Sequence, residues 1–178
     1  MNSTAEGAAA PSARVGELAY IGLGANLGDA RASLASAVRA LDALPVTRVL
    51  RCSRTYRSAP IEAGGPDYLN AVAELDTAMP PRQLLDALHA IEARHGRERP
   101  WRNAPRTLDL DLLLHGDSVC TDPRLLLPHP RMHERAFVLA PLTELRPDLI
   151  VPGHGPIAPL LAACAGQRCD PLPDAAAA

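Results

Sequence analysis

Residues 99–116 read "RPWRNAPRTLDLDLLLHG". From Leu108 to Leu114 the chain is apolar except for Asp109 and Asp111, the pattern of a strand with one face in a core. Alternate residues of a strand share a face. Leu108, Leu110 and Leu112 therefore enter the core together, while Asp109 and Asp111 project from the other face, roughly 6–7 Å apart at their roots. Taken alone, a D-x-D reads first as two solvated carboxylates at a strand end, or as partners of Arg106. Two neighbouring carboxylates also repel and call for a cation between them. So few hard oxygen ligands suit Mg²⁺, which keeps waters and takes phosphates as its other ligands.

The residues just before the strand favour the second reading. Arg97, Arg99, Arg102 and Arg106 fall within ten residues, separated by Pro100 and Pro105, and follow no helical or strand period. Guanidinium forks pair bidentately with phosphate oxygens, and arginines beside a metal-binding carboxylate pair are the parts of a phosphoryl-transfer site. All 18 of the chain's Lys+Arg residues are arginine. That excludes a P-loop lysine, a kinase strand lysine and every Schiff-base mechanism.

Working outward, "LAYIGLG" (18–24) reads as a strand, and Leu34, Val38, Leu41 and Leu44 recur at helical spacing until Pro45. "TRVLRCSRTYRSAP" (47–60) reads as a second strand. "YLNAVAELDT" (68–77) reads as a third, with Leu69, Ala71, Ala73 and Leu75 on one face. Pro80 and Pro81 open a helix carrying Leu84, Leu85, Leu88 and Ile91, closed by Gly96. With the Asp strand the order is βαββαβ, which predicts an α+β, ferredoxin-like antiparallel sheet with helices. A hairpin over 117–127, a loop and helix over 129–145 and a last short helix near Leu160 follow.

The chain has 178 residues, 47% of them hydrophobic, and a formal net charge of −2. This predicts one domain over 17–168 between flexible tails at 1–16 and 169–178. It offers no global field for nucleic acid and no run long enough to span a membrane. A monomer in the cytoplasm, with its four cysteines as free buried thiols, is the expectation. "GLGANLG" (22–28) is spaced G-x-G-x-x-x-G and lacks the acidic residue of a dinucleotide fingerprint. Its glycines are expected to let the chain turn tightly beside the site, with Asn26 or Asp29 capping the helix.

Aromatic residues are few, so a flat ligand must draw on some of them. Tyr68 and Phe137 are candidates, although core packing is the simpler role for each. Asn70 shares the strand face of Tyr68 and offers a donor and an acceptor to a heterocycle edge. His129, in "HPRMHER", reads as a phosphate contact.

Together "YIGLGANLGD", "PDYLNAVAEL", "IEARHGRER", "APRTLDLDLLLHG" and "LPHPRMHERAFVLAPLTEL" resemble, in order, the hydroxymethyl-dihydropterin pyrophosphokinase family of folate biosynthesis. The resemblance implies transfer of pyrophosphate from ATP to 6-hydroxymethyl-7,8-dihydropterin, releasing AMP. It implies two Mg²⁺ ions held by Asp109 and Asp111, and Arg97 and Arg106 acting on the phosphates in the chemical step. Tyr68 and Phe137 match the residues that sandwich the pterin, and Asn70, Ser58 and Ile61 match its other contacts. Glu92, Arg99, His129 and Arg135 match nucleotide-side positions, and Arg102 joins Arg106 among the arginines expected on the nucleotide. Asn103 stands where the family often has tryptophan, and Trp101 lies two residues earlier. Ordering about nine residues from Arg97 to Pro105 costs roughly 1–2 kcal/mol each. That loop is therefore expected to close only on nucleotide, with Trp101 reporting the change. Two other classes fit parts of the pattern: a metal-dependent nucleotidyl or glycosyl transferase, and a ferredoxin-like ligand-binding module. An RNA-binding module needs a basic, aromatic-bearing sheet, which "YLNAVAELDT" does not supply.

Overall fold

The computed structural model describes residues 16–60, 65–95 and 107–173. The arginine loop with Arg97, Arg99, Trp101, Arg102 and Arg106, together with Ile61, lies outside the described residues, as does the expected closure of that loop.

Strand β1 (Glu17–Ala25) is central, antiparallel to β4 (Tyr68–Thr77) on one side and to β5 (Asp109–His115) on the other. Between β1 and β4 come helix α1 (Ala30–Asp42) and the strands β2 (Thr47–Cys52) and β3 (Tyr56–Ser58). Helix α2 (Pro81–Arg94) joins β4 to β5. This is the expected βαββαβ antiparallel α+β arrangement. The expected second strand is divided in two, and both halves pair with β4. Ser53 makes the break. Its N–H donates to the Val72 carbonyl (2.9 Å) and its Oγ accepts from the Val72 N–H (3.0 Å), so one residue satisfies both backbone groups of β4 at the handover.

α1 begins at Asp29, whose carboxylate accepts from the Ala32 N–H (2.9 Å). Asn26 does not cap it. Its amide donates to the Pro66 carbonyl (3.3 Å) and ties this turn to the approach to β4. α2 has Pro81 in its first turn, and the His95 ring bonds the Ile91 carbonyl (2.9 Å) and Ser36 (3.1 Å) at its end.

The sheet has two covered faces. On one, α1 and α2 bury Leu34, Leu41, Leu84, Leu88 and Ile91 against Ile21, Leu23, Leu75, Leu110 and Leu112. The other is covered by C-terminal elements. The hairpin β6 (Cys120–Asp122) and β7 (Leu125–Leu127), which itself adds Leu125 and Leu127 to the first core, leads through a 3-10 turn (Met132–Glu134) into helix α3 (Ala136–Leu145) on the second. The short pair β8 (Ile150–Val151) and β9 (Gly155–Pro156) follows, then helix α4 (Ile157–Ala163). Leu139, Leu142, Met132 and Ile157 pack there on Tyr20, Val72 and Leu113.

A β-bulge in β5 serves this second face. Tyr20 pairs with Leu114 and Ile21 with Leu112, so Leu113 has no partner in the register and both Leu113 and Leu114 turn to the second core. The chain from Cys169 onward was expected to be a flexible tail. Instead Cys169–Pro171 forms β10 and pairs with β3, because β3 otherwise leaves an open sheet edge. Gly16, expected in the other tail, donates its N–H to buried Asp76 (2.8 Å). The cysteines are free, as expected, but only Cys164 is buried and Cys52 is exposed.

Candidate functional site

α3 covers only part of the second face. Toward Gly24, Asn70 and Asp109 the sheet instead floors a cavity of about 260 Å³. The register sets the floor. Gly22 lies between Asp111 and Val72, and Gly24 between Asp109 and Asn70. Asp109 and Asp111 are half-buried, on one face, as their spacing required.

Gly22 and Gly24 therefore do not make a turn. They are strand residues whose missing side chains keep the space beside the carboxylates open. A Cβ at Gly24 would stand 3.5 Å from the Asn70 Oδ1 and 4.0 Å from the Asp109 Cβ, in ordinary contact. A methyl there meets only ordinary contacts, so what glycine preserves is volume. Gly28 is the member of the segment that turns, with φ of 61°. The signal was present in the sequence as two glycines two apart in a strand, in phase with D-x-D.

One wall comes from β3 and β4. Asn70 and Ser58 are buried, and the Asn70 amide donates to the Ser58 Oγ (2.9 Å). That bond fixes the amide plane, so the carbonyl end and the second N–H are presented in a constant direction. Tyr68 stands opposite Ser58 in the register and lines the same wall.

The other wall follows the bulge. The Leu113 carbonyl accepts from the His129 N–H (2.9 Å), which brings His129 to the cavity with Arg131, Arg135 and Phe137 behind it. The Arg135 guanidinium carbon lies 5.6 Å from the Phe137 ring centroid, a cation–π contact. Burial lowers the His129 pKa, Arg135 and Arg131 lower it too, and Asp111 and Asp109 oppose the shift. The downward shift favours the neutral ring. Its Nδ1 accepts from the Arg131 N–H (3.3 Å), which leaves the proton on Nε2 as a donor. Burial also raises the thiols of Cys164 and of Cys169, the latter to about 11, so neither is a thiolate nucleophile at pH 7.

Of the residues expected from sequence, the cavity brings together Ser58, Tyr68, Asn70, Asp109, Asp111, His129, Arg135 and Phe137. Glu92 is not in the lining. It is fully buried on α2, and its Oε1 accepts from the Leu110 N–H (2.9 Å) on the outer edge of β5. That bond anchors the strand bearing both aspartates. Arg131 was missed, because nothing in "HPRMHER" separates the arginine that faces the cavity from its neighbours.

Fold and site define a small α+β domain that presents a carboxylate pair to a cationic wall, with aromatic rings at the rim. The family model described as 7,8-dihydro-6-hydroxymethylpterin-pyrophosphokinase (HPPK) matches residues 20–147, and the chain belongs to that family. A 2-amino-4-hydroxy-6-hydroxymethyldihydropteridine pyrophosphokinase of Pseudomonas aeruginosa is 46% identical over 157 residues, covering 88% of this chain and 97% of its own. The protein of that name from Haemophilus influenzae is 44% identical over 135 residues, covering 75% and 84%. Among solved structures, a triple mutant of Plasmodium falciparum HPPK-DHPS shares the fold at a TM-score of 0.65 and 14% identity. That likeness covers 82% of this chain, which spans 44% of the Plasmodium chain.

Proposed function

We propose that this chain is an ATP-dependent diphosphotransferase of folate biosynthesis, moving pyrophosphate from ATP to 6-hydroxymethyl-7,8-dihydropterin and releasing AMP. The observation that carries the reading is the floor of the cavity. Asp109 and Asp111 face it from β5 across Gly22 and Gly24, with Asn70 on the far side and arginines above. A triphosphate fits between carboxylates and arginines, and a flat heterocycle fits beside Asn70.

The donor set suits Mg²⁺. Two half-buried carboxylates on one strand face are hard oxygen ligands, and among the described residues no group of three or more His, Cys, Asp or Glu could cage an ion. An ion held by Asp109 and Asp111, like the second ion expected beside it on the same carboxylates, would complete its shell with phosphate oxygens and water. When bound, Mg²⁺ supplies charge neutralisation on the phosphates and acidifies the attacking hydroxyl.

The chain's own residues do the rest. Tyr68 and Phe137 hold the pterin from its two faces, and Asn70, fixed by Ser58, reads its edge; Ile61 is a further pterin contact by the family resemblance. This orientation puts the hydroxymethyl oxygen in line with the β-phosphorus. The oxygen–phosphorus bond forms there as the bridge to the α-phosphate breaks, and AMP leaves with the bridging oxygen. Arg131, Arg135 and neutral His129 donate to phosphate oxygens, and Arg97, Arg99, Arg102 and Arg106 join them on the triphosphate. Glu92 contributes indirectly, by holding β5 and with it Asp109 and Asp111 in place. The working form is a cytoplasmic monomer, which sedimentation checks. Among the described residues no helix is long and apolar enough to cross a membrane.

Incubation with ATP, Mg²⁺ and the pterin alcohol tests the reaction. AMP formed only with pterin present supports it. ADP, or turnover independent of pterin, overturns it and favours a transferase of another class.

A further inference from the structure

The segment 167–171 carries no motif, yet consecutive residues in it touch both walls of the cavity. Gln167 follows α4, where its N–H donates to the Cys164 carbonyl (2.9 Å). Its side-chain Oε1 accepts from the Ala136 N–H (2.9 Å), and its Nε2 donates to the Glu134 carbonyl (2.7 Å). Those two backbone groups flank Arg135. α3 has no side-chain cap from its own N-cap residue, Arg135. An amide from 31 residues away therefore satisfies its first N–H and, with its other end, holds the preceding peptide. Two bonds from one planar group leave the Arg135 backbone little freedom. They fix the directions in which Arg135 and Phe137 leave the chain.

The next residue reaches the other wall. The Arg168 Nη2 lies 3.2 Å from Asp67 Oδ2, and Asp67 directly precedes Tyr68. Arg168 Nε also bonds Asp170 Oδ2 (3.0 Å), which holds the guanidinium in place. Cys169 then pairs with Ser58, the residue that orients Asn70, and the Leu172 N–H donates to the Thr55 carbonyl (2.8 Å). One short stretch of backbone thus sets the position of Phe137 relative to Tyr68.

We propose that Gln167 is a positioning residue for Phe137 and Arg135, and that with Arg168 and β10 it sets the width of the slot that admits a flat heterocycle. This rests on the reading that the pterin lies between Tyr68 and Phe137.

Gln167→Met keeps the length of the side chain and removes both hydrogen bonds. With the full chain and an unreactive ATP analogue with Mg²⁺, calorimetry should show pterin affinity reduced by about tenfold, the order set by a misplaced binding group. KM for pterin should rise in parallel and kcat change less, while the thermal midpoint moves by only a few degrees. Phe137→Ala separates the two ideas. If it weakens pterin binding and Gln167→Met does not, the clamp is wrong. If Phe137→Ala itself leaves pterin affinity unchanged, the sandwich is wrong and the clamp falls with it. The charge swap tests the second wall and decides the matter should Gln167→Met not fold. Arg168→Asp alone should raise KM for pterin about threefold, as a partly exposed pair allows, and Arg168→Asp with Asp67→Arg should restore it. A wild-type KM in Arg168→Asp, or no recovery in the double variant, overturns the role of Arg168.

Discussion

Glu74 and the pair Asp109 and Asp111 lie on the same face of one sheet, yet one is closed inside the fold and the others border a cavity. Glu74, on β4 two residues beyond Val72, is almost fully buried. Arg51 meets it at 2.7 Å and Arg146 at 2.9 and 3.1 Å. Burial raises its pKa, but the hydrogen bonds from Arg146 and Arg51 outweigh burial and hold it below the usual carboxylate range. The neighbouring Glu144 is similarly occupied, by Tyr56 (2.7 Å) and Arg54 (3.1 Å). These carboxylates spend their charge inside the protein. Asp109 and Asp111 instead border open volume, with glycines beside them where β4 carries side chains. Glu74 is enclosed with its arginines inside the fold, whereas Asp109 and Asp111 border a cavity that a ligand can enter.

Substitution should divide the two groups cleanly. The largest effect is expected at the site. Asp109→Ala or Asp111→Ala should lower turnover on the order of a thousandfold, the scale on which losing a partner of transition-state charge acts. Without Mg²⁺ the thermal midpoint should hold or rise slightly, because like-charge repulsion is relieved. A large loss of metal-free stability would make the aspartates structural and erase the contrast.

Glu74→Ala should behave in reverse. It leaves two arginines without their shared carboxylate and should cost about 2–3 kcal/mol in denaturant unfolding. That is less than a wholly buried pair would lose, because Arg51 and Arg146 keep contact with solvent. KM for both substrates should stay near wild type, and a KM change larger than the stability change would link the network to the site.

Gly24→Ala sharpens the meaning of the open floor. Its backbone does not require positive φ, so alanine should hold stability constant or raise it by about 0.4–1 kcal/mol. Its methyl enters the cavity, and kcat/KM should fall by about tenfold, the order set by a misplaced reacting group. Unchanged kinetics would mean that the volume beside the aspartates is not used.

The smallest expected effect is on pH dependence. The folded pKa of Glu74 lies below its unfolded value of 4.5. Its stabilisation is therefore complete above that value and is lost as pH falls from about 4.5 through the folded pKa. Glu74→Gln should flatten the acid side of the stability curve in that window and leave stability above pH 6 nearly parallel to wild type. An unchanged acid limb would assign acid unfolding to other carboxylates.

Much of this contrast could be read before any coordinates. The period of two in "LDLDL" placed leucines and aspartates on opposite faces, and the structure agrees. Helical spacing and the prolines located α1 and α2, and the order of elements predicted the antiparallel α+β sheet. The same period of two is present in Gly22 and Gly24, but a glycine pattern has two meanings, turn or space. Only the neighbouring strands show that space is the one used. The division of the second strand at Ser53 left no pattern, because it depends on the backbone groups of Val72, 19 residues away in sequence.

Local chemistry therefore determined what each segment could be. Side-chain period, prolines and capping residues act within a few positions, so strands, helices, the shared face of Asp109 and Asp111 and the resemblance to a pyrophosphokinase family all followed from the sequence by itself. Tertiary structure decided which carboxylates are enclosed with arginines and which border a cavity, since Arg146 reaches Glu74 across 72 positions. It also decided that Leu113 leaves the register to hold His129, that Cys169–Pro171 becomes a strand, and that Gln167 caps a helix begun 31 residues earlier. Each of these outcomes depends on an unpaired backbone group or charge belonging to a distant part of the chain. A hydrogen bond with a remote partner leaves no periodic trace in either of the segments that form it.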